Sequence, residues 1–166
     1  MNEIKQMQSV PFELCLDSML YYSINTNNSD IDSISFYDKN IALIVYLDSK
    51  ACSPCAIKGM YRWFELLDTI KLKYENELKV YFMFASPKDD LHNLYRSIET
   101  SSFDYPIFID TTNVFKRRNK HLPENPRMHT FMLDRKRNVI LVGSPLDNES
   151  IRKLFFKIAN DSIIYD

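Results

Sequence analysis

Two uninterrupted apolar runs, 41–47 (IALIVYL) and 80–85 (VYFMFA), flank a segment with helical spacing. A strand that is apolar at every position has no face for water, so each run is expected inside a sheet covered on both sides. The segment between them, 53–73, places Met60, Phe64, Leu67 and Ile70 or Lys71 three or four apart, with Trp63 beside them. Arg62, Glu65 and Asp68 fall elsewhere, which is the pattern of an amphipathic helix. Strand, helix and strand in this order require a crossover, hence a parallel pair.

The rest of the chain extends that unit. Pro87 suits the first turn of a helix running through Leu91, Leu94, Tyr95 and Ile98. Residues 106–110 (PIFID) form a short third strand by the same apolar criterion. Segments 130–133 and 138–142 flank the polar turn 134–137, a hairpin signature. Asn148 is placed to cap a last helix carrying Ile151, Leu154, Phe155 and Ile158. At the other end, 12–22 reads as strand, with an edge hairpin as one arrangement, and the Asn-, Asp- and Ser-rich 23–35 as loop. The expected fold is therefore α/β: a central mixed sheet with a parallel core and a C-terminal antiparallel hairpin, flanked by helices. At 166 residues the chain makes one domain, with 1–35 as an N-terminal extension or edge strands and 41–160 as its core.

Composition removes most functional classes. Lys and Arg number 21 against 22 Asp and Glu, a net charge of −1, which argues against nucleic acid as a partner. Only two glycines are present, Gly59 and Gly143, too few for a dinucleotide fingerprint and not placed around a lysine as in a P-loop. His92, His121 and His129 lie far apart, and neither HExxH nor GxSxG occurs. No apolar run approaches the ~18 residues of a membrane span. Met1 to Val10 lack a hydrophobic signal core, which suits a cytoplasmic chain or a mature one whose export segment has been removed.

The chemistry concentrates at Ala51-Cys52-Ser53-Pro54-Cys55, which joins the first buried strand to the helix behind it. Two cysteines three apart at a helix start can close a small disulfide ring. Free N–H groups and the positive dipole end favour a thiolate on Cys52. Cys55, one turn deeper, can resolve a mixed disulfide by attacking Cys52. Pro54 costs no intrahelical donor in a first turn. CxxC inside a βαβ unit points to redox chemistry; the alternatives are buried structural cysteines or half of a zinc site. Zinc would need two further ligands, and no second CxxC or HxxxH supplies them. No metal and no cofactor beyond the Cys52–Cys55 disulfide is expected.

From residue 41 to the last helix, the chain resembles the bacterial extracytoplasmic thioredoxin-like disulfide reductases of the TlpA and ResA type. The stretches that carry the likeness are IALIVYLDSKACSPC, YPIFIDTTNVFKRRN and HTFMLDRKRNVILVGSP. Within that group it is most similar to small thioredoxin-like lipoproteins of Bacteroides-type bacteria. The shared features are Tyr46-Leu47-Asp48-Ser49 before the motif, Tyr61-Arg62-Trp63 in the helix, and Thr130-Phe131-Met132-Leu133-Asp134 in the hairpin. The resemblance implies a thioredoxin-like fold and thiol–disulfide exchange on protein or small-molecule disulfides. It also implies a separate partner that recycles the site, and a periplasmic or otherwise extracytoplasmic location, with a lipid anchor in the lipoproteins. A non-catalytic metal- or partner-binding module is the alternative, and a peroxidase the third reading.

Departures from the family pattern define the remaining expectations. Ala51 replaces the tryptophan usual before the first cysteine. Met128 falls where a cis-proline normally supports the substrate chain, unless the loop shifts by two residues and brings Pro126 there. The substrate platform is thus assigned to Met128, Pro54 and Ala51. Tyr46 stands where a buried carboxylate is usual, and the nearer Asp48 is either a proton relay for Cys55 or an exposed strand-end residue. His129 beside Met128 would suit a soft ion if it faced the thiols, but strand neighbours alternate, so only one of the two can easily do so. Cys15 reads as a buried, inert thiol in a strand, with a mixed disulfide or dimer bridge as the alternative, and the basic run 116–120 as a solvated surface.

Overall fold

The computed structural model describes residues 2–25, 40–50, 54–75 and 77–164, with only the backbone described for Pro54, Cys55 and Ile164. Six described strands form one sheet: β1 (Leu20–Tyr22), β2 (Ile41–Leu47), β3 (Leu78–Ala85), β4 (Ile107–Asp110), β5 (Thr130–Leu133) and β6 (Val139–Val142). Their order across the sheet is β1-β4-β3-β2-β5-β6. β2 pairs parallel with β3 and β3 with β4, while β1, β5 and β6 run antiparallel to their neighbours. The described helices are α1 (Glu3–Met7), α2 (Pro54–Lys58), α3 (Phe64–Tyr74), α4 (Leu91–Ser101), α5 (Val114–Arg118) and α6 (Glu149–Ile164). A parallel β2-β3 pair crossed by helices, with a β5-β6 hairpin paired antiparallel to β2 and closed by α6, is the thioredoxin-like topology. Every strand expected from 41 onward is present.

The apolar runs are buried because both sheet faces are covered. Leu43, Val45, Val80, Phe82 and Phe84 point into a cluster with Ile57, Met60, Trp63, Leu66, Ile70, Leu94, Ile98 and Phe155. Alternate residues Ala42, Ile44, Tyr46, Tyr81 and Met83 point the other way, onto Met7, Phe12, Leu14, Leu16, Phe115 and Leu122. Among the described residues, the only α-helices of the second layer are the short α1 and α5. That layer is built from the N-terminal segment and α5, with Phe12 4.7 Å from Phe131 and 6.1 Å from Phe115 between ring centroids.

Two local expectations are corrected. Strand was expected over 12–22, but only Leu20–Tyr22 pairs, against β4. Upstream, Leu16–Ser18 is a 3-10 turn entered through Cys15, whose φ of 56° is left-handed. There the backbone finds partners outside any ladder: Phe12 N–H donates to the Arg137 carbonyl at 2.9 Å, and Glu13 N–H to Asn119 Oδ1 at 2.8 Å. The single helix expected over 53–73 is instead α2, a 3-10 stretch Gly59–Trp63, and α3. Glycine is a weak helix former, and Gly59 marks the change. A 3-10 turn brings residues three apart into line, so Met60 and Trp63 both reach the core. Asn148 does cap α6, its Oδ1 accepting from Ile151 N–H at 3.1 Å.

Candidate functional site

Cys52 and its neighbours Ala51 and Ser53 lie outside the described residues. What the fold describes is the frame around them. β2 is internal to the sheet, and its end at Leu47 leads through 48–50 toward α2, in which Cys55 is the second residue. Pro54 is the first residue of α2, where its missing N–H removes no helical bond.

A groove of about 400 Å³ runs beside α2, between the 3-10 stretch Gly59–Trp63 and the loops 126–130 and 144–147. Val45, Met60 and Trp63 give it an apolar wall, with Trp63 edge-on to Phe82 at 5.4 Å between ring centroids. Polar groups line the rest: Arg62, His129, Thr130, Ser144 and Asp147. Arg62 Nη2 donates to Asp147 Oδ1 at 2.9 Å, so the Tyr61-Arg62-Trp63 triplet joins the helix to the far loop. Tyr61 is exposed and Trp63 buried, which gives the three residues separate roles.

The loop expected to carry the substrate platform is a 3-10 turn, Pro126–Met128, rather than extended chain. The structure separates its residues. Pro126 lines the groove. Met128 packs against the cluster on the far sheet face. His129 is buried, its Nε2–H donating to the Pro123 carbonyl at 2.8 Å and its ring edge-on to Tyr46 at 5.3 Å between centroids. The His129 carbonyl accepts from Tyr46 N–H at 2.9 Å, carrying the β2-β5 ladder one step further toward the motif. Among the described residues no peptide bond is cis, and no group of three His, Cys, Asp or Glu side chains converges as metal ligands would.

Asp48 is not an exposed strand-end residue. It is buried, and its Oδ2 accepts from Lys116 Nζ at 2.9 Å while Oδ1 accepts from Ser49 Oγ at 3.1 Å and Lys50 N–H at 3.2 Å. Burial alone would raise its pKa, but the hydrogen bonds from Lys116 and the Lys50 backbone outweigh it and hold the carboxyl below its usual range. Asp48 is therefore held in its ionised form. Its visible work is to tie down the turn that leads into the motif. Lys116 also reaches Glu124 at 2.7 Å, and Arg118 pairs with Glu13 at 3.1 Å, so the basic run 116–120 is engaged in ion pairs rather than merely solvated. Spacing could not reveal Lys116 or Glu124 as neighbours of the site, because their partners lie on other elements. Tyr46 turns to the far face, and burial, followed by the Asp48, Asp110 and Glu124 carboxylates, raises its phenol pKa and keeps it protonated.

Cys15 is a partly exposed free thiol, raised in pKa chiefly by burial and then by Glu13. Its sulfur lies 3.6 Å from the Glu13 carbonyl, and it belongs to the turn before β1, not to a strand.

No family model and no curated protein matches the chain. Among solved structures it is similar to an uncharacterized thioredoxin-like protein from Porphyromonas gingivalis, at 13% identity and a TM-score of 0.47, covering 74% of this chain and 75% of that one. It is also similar to a cysteine-to-serine mutant of PrxQ from Xylella fastidiosa, at 13% identity and a TM-score of 0.49, covering 89% and 94%. No described helix is long and apolar enough to cross a membrane.

Proposed function

We propose that the chain is a thiol–disulfide oxidoreductase acting on protein or small-molecule disulfides, with Cys52 as nucleophile and Cys55 as resolving thiol. The observation that carries the reading is the position of Cys55. It is the second residue of a helix that follows an internal strand of a thioredoxin-like sheet, with an open, partly apolar groove alongside. In the reducing direction, the Cys52 thiolate attacks one substrate sulfur, the substrate S–S bond breaks, and the departing thiolate takes a proton. The Cys55 thiolate then attacks Cys52, releasing the second substrate thiol and leaving the Cys52–Cys55 disulfide. Two electrons have passed from protein to substrate, and a dithiol partner restores the reduced form. The groove supplies the docking surface, with Pro126 rather than Met128 bordering it.

The likeness to exported reductases extends this reading to an extracytoplasmic site of action, with a lipid anchor on the natural precursor. Fractionation of the native source tests that part by itself.

The direct test is reduction of insulin disulfides by the wild-type chain and by Cys52→Ser and Cys55→Ser. Loss of turnover in both, with a mixed disulfide accumulating only in Cys55→Ser, is the expected result. Equal trapping by both variants would contradict the assigned roles, and full turnover in Cys52→Ser would sink the proposal.

A further inference from the structure

A second groove, of about 300 Å³, lies on the other flank of α2 and is lined by Lys58, Arg96, Ser97, Thr100 and Ser101. It forms because α2 and α4 sit side by side on one sheet face. Ile57 of α2 and Leu94 and Ile98 of α4 are buried in the same core cluster. The neighbouring residues, Lys58 on one helix and the 96–101 flank on the other, are left facing each other above it. On α4 the pairs 96/100 and 97/101 are one turn apart, so they make a ledge rather than a scatter.

The side chains that line this groove among the described residues are cationic or carry hydroxyls. Among the described residues neither Lys58 nor Arg96 takes part in a salt bridge. The one acid of α4, Glu99, is engaged by the Tyr22 hydroxyl at 2.9 Å. Thr100 Oγ1 donates back to the Arg96 carbonyl at 2.7 Å and Ser101 Oγ to the Ile98 carbonyl at 2.7 Å, which uses up their protons. Ser97 also lines the groove and brings a hydroxyl to it. A guanidinium fork, an ammonium and a hydroxyl around one concavity match the charge and several oxygens of a phosphate better than a single carboxylate.

We infer that the α2–α4 groove is a binding site for the phosphate group of a small molecule, held by Lys58, Arg96 and Ser97. Two cations on a chain of net charge −1 are too few for a nucleic-acid track, which favours a compact ligand. The volume is at the lower end of small-molecule sites. This inference does not depend on the redox reading.

The test is an amide-resolved NMR titration of the full chain with sodium phosphate and with glycerol phosphate, against sodium chloride at matched ionic strength. Saturable shifts confined to residues around 58 and 95–101 are expected. The Lys58→Gln, Arg96→Gln double variant, with the rest of its spectrum unchanged, should bind about tenfold or more weakly. Tighter binding of the ester supports an organic phosphate, and equal binding supports free phosphate. Chloride shifts of the same size, shifts that persist in the double variant, or a response to an acidic peptide but not to phosphate would each overturn the site.

Discussion

The Lys116 ammonium lies 2.9 Å from the Asp48 carboxylate and ties α5 to the turn that follows the internal strand β2. The same ammonium holds Glu124 at 2.7 Å. Both members of the Asp48 pair are largely covered, with side-chain exposures of 10% for Asp48 and 19% for Lys116. Removing Lys116 strands a carboxylate in a poorly hydrated place, whereas a surface pair would cost little.

Lys116→Met is therefore expected to lower stability by about 1–3 kcal/mol, between the exposed and the fully buried limits. The pH dependence has a definite sign. The folded pKa of Asp48 lies below its ordinary 3.8, so its stabilisation is present above that value. It is lost as pH falls from there through the lower folded pKa. Urea unfolding between about pH 2 and pH 7 should show this loss in the wild type and a smaller one in Asp48→Asn. Identical acid profiles for the two proteins would contradict it.

His121 should also cost stability as pH falls, but because its charged form is disfavoured by burial rather than because it loses an ion pair. Its Nε2 is buried without a hydrogen-bond partner among the described residues, and its ring lies 4.2 Å from that of Phe12 between centroids. Burial pushes the imidazole pKa below its ordinary 6.5, so the fold keeps the neutral form. Stability is then full above that value and declines as pH falls toward the lower folded pKa. His121→Phe is expected to stabilise by about 1 kcal/mol, and by more near pH 5 than near pH 8. Thermal melts at the two pH values measure this; a variant less stable at both would refute it.

The two glycines should respond in opposite directions to the same methyl group. Gly143 has a φ of +118°, and an added Cβ would meet Ile151 Cδ1 at 3.3 Å. Gly143→Ala should cost about 1–3 kcal/mol in backbone strain. At Gly59 an added Cβ meets nothing within 4 Å. Gly59→Ala should stabilise by about 0.5–1 kcal/mol by restricting the unfolded chain. Chemical denaturation of the pair, giving the same sign for both, would show this account to be wrong.

Phe82 is the hinge of the aromatic core, fully buried and edge-on to Trp63, Phe103 and Tyr105 at 5.4, 5.2 and 5.5 Å between ring centroids. Phe82→Ala should cost about 3–5 kcal/mol. Trp63 is the sole tryptophan, so its fluorescence should shift in the folded variant as the ring loses this contact. Unchanged emission together with unchanged stability would mean that the aromatic contact has no energetic role.

The strands from residue 41 onward were legible in the sequence because continuous apolar runs and a polar hairpin turn are local properties. A residue's own neighbours state whether it needs one covered face or two. The start of a helix around Cys55, after the strand β2, was legible for the same reason. The N-terminal segment was misread as strand because Phe12, Leu14 and Leu16 pack on the sheet's far face, while the backbone N–H groups of Phe12 and Glu13 find partners more than a hundred positions away. The surroundings of the site were decided by the tertiary structure alone. Asp48 and Lys116 are 68 residues apart, and nothing near either one announces the other. The roles of Pro126, Met128 and His129 depended on conformation. Strand alternation would have sent neighbours to opposite faces, but the chain makes a 3-10 turn there, rotating each residue by about 120° from the last. That rotation, set by how the loop meets β2, sends Met128 to the far core and leaves Pro126 beside the groove.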